Sequence, residues 1–204
     1  MEQRAAQIIS YIFHPLLMPS YGLLLLFANR NVFTFMLPFQ AKAAVLFIVF
    51  LNTSLLPAFI FYLMKRRGML SSLRMENRTE RVFPFIIAAL FYFTTYFMLR
   101  KFQLPSLLYF MLFGSACLIV IALIVNFWWK ISIHMLAIGG LTGAFFSMAV
   151  FVPLNFFVTV SIAILASGLT GFSRLKLNAH TPAQVYGGFV TGSFFMIFLF
   201  IILY

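Results

Sequence analysis

Three short polar clusters hold most of the side chains able to do nucleophilic, acid–base or anion-binding chemistry in this chain. The first contains Arg74, Arg78 and Arg81, guanidinium forks suited to bidentate contact with phosphate oxygens. The second, Lys130-Ile131-Ser132-Ile133-His134, offers a cation, a hydroxyl and an imidazole between apolar stretches. The third runs from Ser173 and Arg174 to His180 and on to Gln184. Within it, Thr181, Pro182 and Gln184 read as N-cap, first helical position and third helical position of a capping box. His180 therefore stands just before a helix N-terminus, where the backbone favours anions. An imidazole beside a bound phosphoryl group is a nucleophile in the right place. The chain has no aspartate, which excludes paired-Asp catalysis and a Ser-His-Asp triad, and its acids are Glu2, Glu76 and Glu80.

Something must carry these clusters to one place. Of 204 residues, 64% are hydrophobic and only 8% charged, against about 25% charged in soluble domains. Lipid is the solvent such a composition requires. Spans of about 20 apolar residues cross a bilayer core, and candidates fall at 8–28, 41–64, 83–99, 105–127, 135–152, 155–172 and 183–203. Two are short, so an all-α transmembrane bundle of six to seven helices is expected, as one domain over 1–204. Connections are brief: Asn29 to Gln40, Arg100 to Leu104, and a tight turn near Pro153. Two spans separate the first cluster from the second, and two more separate the second from the third. An even number of crossings returns the chain to the same face, so all three clusters are expected on one side of the membrane.

The net charge of +11 has two sources, the Lys and Arg that flank membrane helices and a site for an anion. Nucleic acid is disfavoured as a partner, because the basic residues sit in short loops between apolar spans. The proposed site face carries Arg4, Lys65, Arg66, Arg67 and Lys176 besides the clusters; the other carries Arg30, Lys42, Arg100 and Lys101. With the phosphate ligands set aside, that balance does not fix the orientation. Cys117 is the only cysteine, so no intramolecular disulfide forms. The N-terminus has no cleavage site at signal-peptide spacing and reads as the start of the first helix. His14-Pro15 reads as a kink or interfacial feature of that helix. Gly139/Gly143 and Gly188/Gly192 have the small-x-x-x-small spacing that lets helices pack closely in lipid.

The order Arg74-x6-Arg81, Ser132-x-His134, Ser173-Arg174-x5-His180 resembles the type 2 phosphatidic acid phosphatase superfamily, whose marks are K-x6-R-P, P-S-G-H and S-R-x5-H-x3-D. The likeness covers roughly residues 74–192. It implies a membrane-embedded lipid phosphatase, without a metal or other cofactor, in which His180 attacks phosphorus and His134 serves the leaving group. Arg81, Arg174, Ser132 and Ser173 would hold phosphoryl oxygens, with Arg74 in the position of the family's Lys and Lys130 as an added cation. Pro84 lies two positions beyond the family's Pro; Ile131 and Ile133 replace Pro and Gly. Gln184 stands where the family has Asp, yet His180-Thr181-x-x-Gln184-Val185 with Gly187 and Gly188 is similar to the dolichyl-diphosphatase branch. An amide oxygen there can still fix the tautomer of His180. The substrate implied is a lipid phosphate or diphosphate of polyprenyl, phosphatidate or phosphatidylglycerophosphate type, in a plasma or bacterial inner membrane and with no obligate protein partner. Phosphotransfer to another acceptor, and a non-catalytic lipid-phosphate binder or transporter, are the alternatives.

Overall fold

The computed structural model describes residues 2–29, 37–75, 77–152 and 154–204. The connection expected across Asn29 to Gln40 lies largely outside the described residues, as do Pro153 of the expected turn and Glu76. Among the described residues the chain is helical, without strands, and seven helices are long and apolar enough to cross a membrane. The architecture is that of a multi-pass integral membrane protein. Among the described residues this is the upper of the two expected counts, by helix length and apolarity.

The first span, Glu2–Ala28, is broken. Helix α1 (Glu2–Ile12) ends at Phe13, a 3-10 turn follows at Pro15–Leu17, and α2 (Met18–Ala28) resumes. Pro15 lacks an amide hydrogen and cannot continue the ladder. The Tyr21 hydroxyl donates to Ile12 O over 3.0 Å. Nine residues of straight helix would separate those positions by about 13 Å, so the chain bends sharply at His14. The second span joins α3 (Phe39–Phe50) to α4 (Leu56–Arg66) through a π-helical turn at Leu51–Leu55, just before Pro57. The remaining five are α5 (Val82–Leu99), α6 (Ser106–Asn126), α7 (Ile133–Phe151), α8 (Phe157–Lys176) and α9 (Pro182–Leu203).

Helix α7 is the most buried of the seven. Its neighbour α9 packs against it backbone to backbone, and the glycines explain how. A Cβ on Gly192 would lie 2.1 Å from Leu136 O, and one on Gly143 would lie 2.4 Å from Ser193 O. Gly139 and Gly188 meet Phe189 O and Ser132 O at 2.4 and 2.6 Å in the same sense. Such approach is what small residues provide where lipid gives no hydrophobic drive for helix association. Buried hydroxyls add directional contacts. Ser193 donates to Gly139 O at 3.0 Å, and Thr142 and Ser167 join α7 to α8 at 3.0 Å. On the outside, large apolar side chains such as Phe83, Leu90, Leu165, Phe194 and Phe198 are exposed, as a lipid solvent allows.

Candidate active site

Three helix N-termini meet at one end of the bundle. The turn Thr79–Arg81 leads into α5, Ser132 precedes α7, and Thr181 caps α9. Buried Arg81 ties the first two together: its Nε donates to Met75 O at 2.8 Å and its Nη1 to Ile131 O at 3.4 Å. The Ser132 amide donates to Gln184 O at 3.3 Å, which joins α7 to α9. Each helix N-terminus carries about half a positive charge. Exposed Trp128 and half-exposed Trp129 flank this end, as aromatic residues do at a membrane–water boundary.

The local sequence explains how His180 reaches its place. Helix α8 ends in a Schellman motif, with Asn178 at φ 50°. Its amide donates to Leu175 O at 3.0 Å, and the Ala179 amide donates to Arg174 O at 3.1 Å. Asparagine tolerates this left-handed conformation better than most residues. The chain reverses and the expected capping box follows: Thr181 Oγ1 accepts from the Gln184 amide at 3.4 Å, and Gln184 Oε1 accepts from the Thr181 amide at 3.2 Å.

That same Oε1 lies 2.9 Å from His180 Nδ1. A backbone amide already donates to it, so it is an acceptor, and Nδ1 must carry the hydrogen. The lone pair of neutral His180 is then on Nε2. Burial holds this imidazole down at about 4, against the Gln184 bond, which favours the charged form, and with the charges of Arg81, Arg174 and Lys130 adding to the depression. His180 is neutral at physiological pH.

One cavity of about 260 Å³ collects the polar groups. His14, Arg74, Arg81, His134, Arg174 and His180 line its polar end. Beyond them it is apolar, running past Phe85 and Leu118 to Ala144 on α7 and Met196 on α9. From His134 to Ala144 is ten residues of helix, about 15 Å, or half of a hydrocarbon core of about 30 Å. Among the described residues no carboxylate lines the cavity. Glu80 accepts from Ser71 and Asn77, and Glu2 pairs with Lys176. Lys130 and Gln184 line an adjoining opening that shares His180.

The expected residues thus divide. Arg74, Arg81, His134, Arg174 and His180 come together in the cavity, with Lys130 and Gln184 beside His180. Ser132 is fully buried at the head of α7; its Oγ has no hydrogen-bond partner among the described residues and does not line the cavity. Ser173 does not line the cavity: its hydroxyl donates to Ala6 O at 2.6 Å and fastens α8 to α1. Arg78 is likewise occupied, donating to Phe127 O and Trp128 O at the end of α6 at 3.1 and 2.9 Å. His14 has a further place. It marks the bend, as expected, but it also enters the cavity with its ring centroid 5.5 Å from that of His134. Ser10, one turn earlier, accepts from Arg174 Nη1 at 2.6 Å and lies 3.4 Å from His134 Nε2. The signal for His14 was present in the sequence, because an ionisable residue inside an apolar span marks a functional site by default.

Compared with known proteins, the chain matches no protein-family model, no curated protein and no solved structure.

Proposed function

We propose that the chain is a lipid phosphatase that hydrolyses a phosphate or diphosphate ester whose tail lies in the bilayer. One observation carries the reading: a single cavity joins three guanidinium groups and two further imidazoles around His180, with no lining carboxylate among the described residues, to an apolar channel half a membrane deep. The charged end suits a phosphoryl group and the channel suits a hydrocarbon tail. The motif order noted in the sequence supports the same assignment.

In this mechanism the Nε2 lone pair of His180 attacks phosphorus, and the phosphorus–oxygen bond to the leaving group breaks. His134, protonated as the anionic headgroup enters beside it, gives that proton to the departing oxygen. Gln184 Oε1 holds the Nδ1 hydrogen throughout, and Arg74, Arg81 and Arg174 stabilise charge on the phosphoryl oxygens. Water then attacks phosphorus, giving one proton to His134 as the phosphorus–nitrogen bond breaks. The products are inorganic phosphate and the lipid alcohol, or the lipid monophosphate from a diphosphate.

One feature favours a second reading. Gln184 cannot balance the charge of a phosphohistidine as a carboxylate would, which suits a protein that binds lipid phosphate without cleaving it. Phosphate release from a panel of lipid phosphates by the detergent-purified protein separates the two. Release that His180→Ala and His134→Ala each abolish supports the phosphatase. Tight binding with no release supports the binder, and transfer to an added alcohol in place of water supports a phosphotransferase.

A further inference from the structure

The first span brings two residues to the groups at the cavity's polar end that the motif order leaves out. Ser173 anchors α1 at Ala6, and one helical turn on, Ser10 touches both Arg174 and His134. One further turn brings His14 against His134, with the two rings at 79°. His14 is also the N-cap of the 3-10 turn: the Leu16 amide donates to its Nδ1 at 3.4 Å. An amide nitrogen here can only donate, so Nδ1 must accept. In neutral His14 the hydrogen is therefore on Nε2. Among the described residues Nε2 has no hydrogen-bond partner, and the ring lines the cavity beside Arg174.

We propose that His14 is a substrate-binding residue, whose Nε2–H donates to a phosphoryl oxygen held by Arg174, and that Ser10 positions His134 by bridging it to Arg174. The His14 assignment rests on the anion site described under the proposed function, but not on that site being catalytic; the Ser10 assignment rests on both, and an unchanged kcat in Ser10→Ala overturns it. The bend at His14-Pro15 has a role in it: the cap fixes which ring nitrogen carries the hydrogen, and the broken helix brings that nitrogen to the cavity.

Two substitutions separate binding from capping. Asparagine places an acceptor where Nδ1 is and makes a good N-cap, but it has no donor at the Nε2 position. Glutamine reaches the Nε2 position with an amide N–H and caps poorly. The probe is orthovanadate, a phosphate-like oxyanion, titrated calorimetrically into the full-length protein in detergent, followed by KM and kcat for a lipid phosphate. His14→Gln should bind vanadate within about threefold of wild type, and His14→Asn should bind it about tenfold more weakly, the scale of one hydrogen bond to a charged group. Ser10→Ala should lower kcat with little change in vanadate affinity, and Ser10→Thr should restore it. The reverse order, His14→Asn binding like wild type and His14→Gln impaired, makes His14 a structural cap and overturns the proposal. Equal binding by both variants also overturns it. Vanadate binding with the expected order but no phosphate release from any lipid phosphate leaves the His14 assignment standing and removes the phosphatase. No vanadate binding by the wild type removes both.

Discussion

Gln184→Glu tests the pair at the centre of the mechanism without disturbing the fold. Glutamate serves as well as glutamine at the third position of a capping box, and its charge suits a helix N-terminus. What changes is the partner of His180 Nδ1, 2.9 Å away, from a neutral amide to a carboxylate. A neutral hydrogen bond contributes about 1 kcal/mol net and one to a charged group about 1.5–3 kcal/mol. The difference corresponds to about one pKa unit. Full Coulomb attraction at this distance, with an effective dielectric constant of about 20, is about 6 kcal/mol, so one unit is a lower bound. The imidazole of His180, held at about 4 chiefly by burial, should then titrate at about 5 or above. The sign follows from the chemistry. A protonated ring has no lone pair for attack, so activity falls as pH drops through this value, and raising it moves the loss to higher pH. Phosphate release measured from pH 3.5 to 8 on one substrate for both proteins cancels the ionisation of the substrate itself. An acid limb that stays within 0.3 unit of wild type would show that His180 is not the titrating nucleophile, or that Gln184 is not its partner.

Two further substitutions test the frame and the channel. Gly192→Ala places a Cβ 2.1 Å from Leu136 O, where only backbone could yield, so α7 and α9 must separate; it should lower the melting temperature and the activity together, with a loss of about 2 kcal/mol or more. Gly168→Ala meets nothing within 4 Å and should be neutral or stabilising by up to about 1 kcal/mol; if both variants melt alike, close helix approach is not what the glycines provide. Ser115→Leu fills the deep end of the channel on α6, where the native hydroxyl only bonds back to Met111 O in its own helix. It should raise KM for long-tailed lipid phosphates while leaving a short-chain ester unchanged, and equal effects on both would detach the apolar channel from tail binding.

Much of this was legible in the residues, for identifiable reasons. Hydropathy placed the spans because every backbone group in lipid must be satisfied within a helix, and the even spacing of the polar clusters along those spans predicted their convergence. The capping box was readable because Thr181, Pro182 and Gln184 act on their own backbone. The glycine pairs were readable from spacing alone. The partners of Ser173 and Arg78 were not legible, because a hydroxyl and a guanidinium suit a phosphate as well as a carbonyl. Their actual partners, Ala6 O and the carbonyls of Phe127 and Trp128, are backbone atoms brought there by tertiary packing. His14-Pro15 reads as a kink or interfacial feature, and the structure shows the break after Ile12, but its consequence is not in the local sequence. A bend swings everything before it, and no local pattern says that Ser10 will reach Arg174 and His134 from 164 and 124 residues away.

The charge distribution supplies its own test of what the cavity is for. Arg81 is buried and Arg174 half-buried beside three helix N-termini, and the buried Nε of Arg174 has no hydrogen-bond partner among the described residues. Burying cations without carboxylates is destabilising, and a protein keeps such an arrangement when an anion completes it. The free protein should therefore be stabilised by phosphate or vanadate and not by chloride at equal ionic strength. At a concentration 100 times the dissociation constant the gain is about 2.7 kcal/mol, which for a chain of this size is a rise of about 5–10 °C in melting temperature. Arg174→Gln should show the inverse pattern. Without anion it should melt no lower than wild type, because it relieves repulsion and removes an unsatisfied buried donor; with phosphate it should gain much less. A variant that melts well below wild type in chloride would mean that Arg174 supports the fold through Ser10, and the case for an uncompensated anion site would fail there.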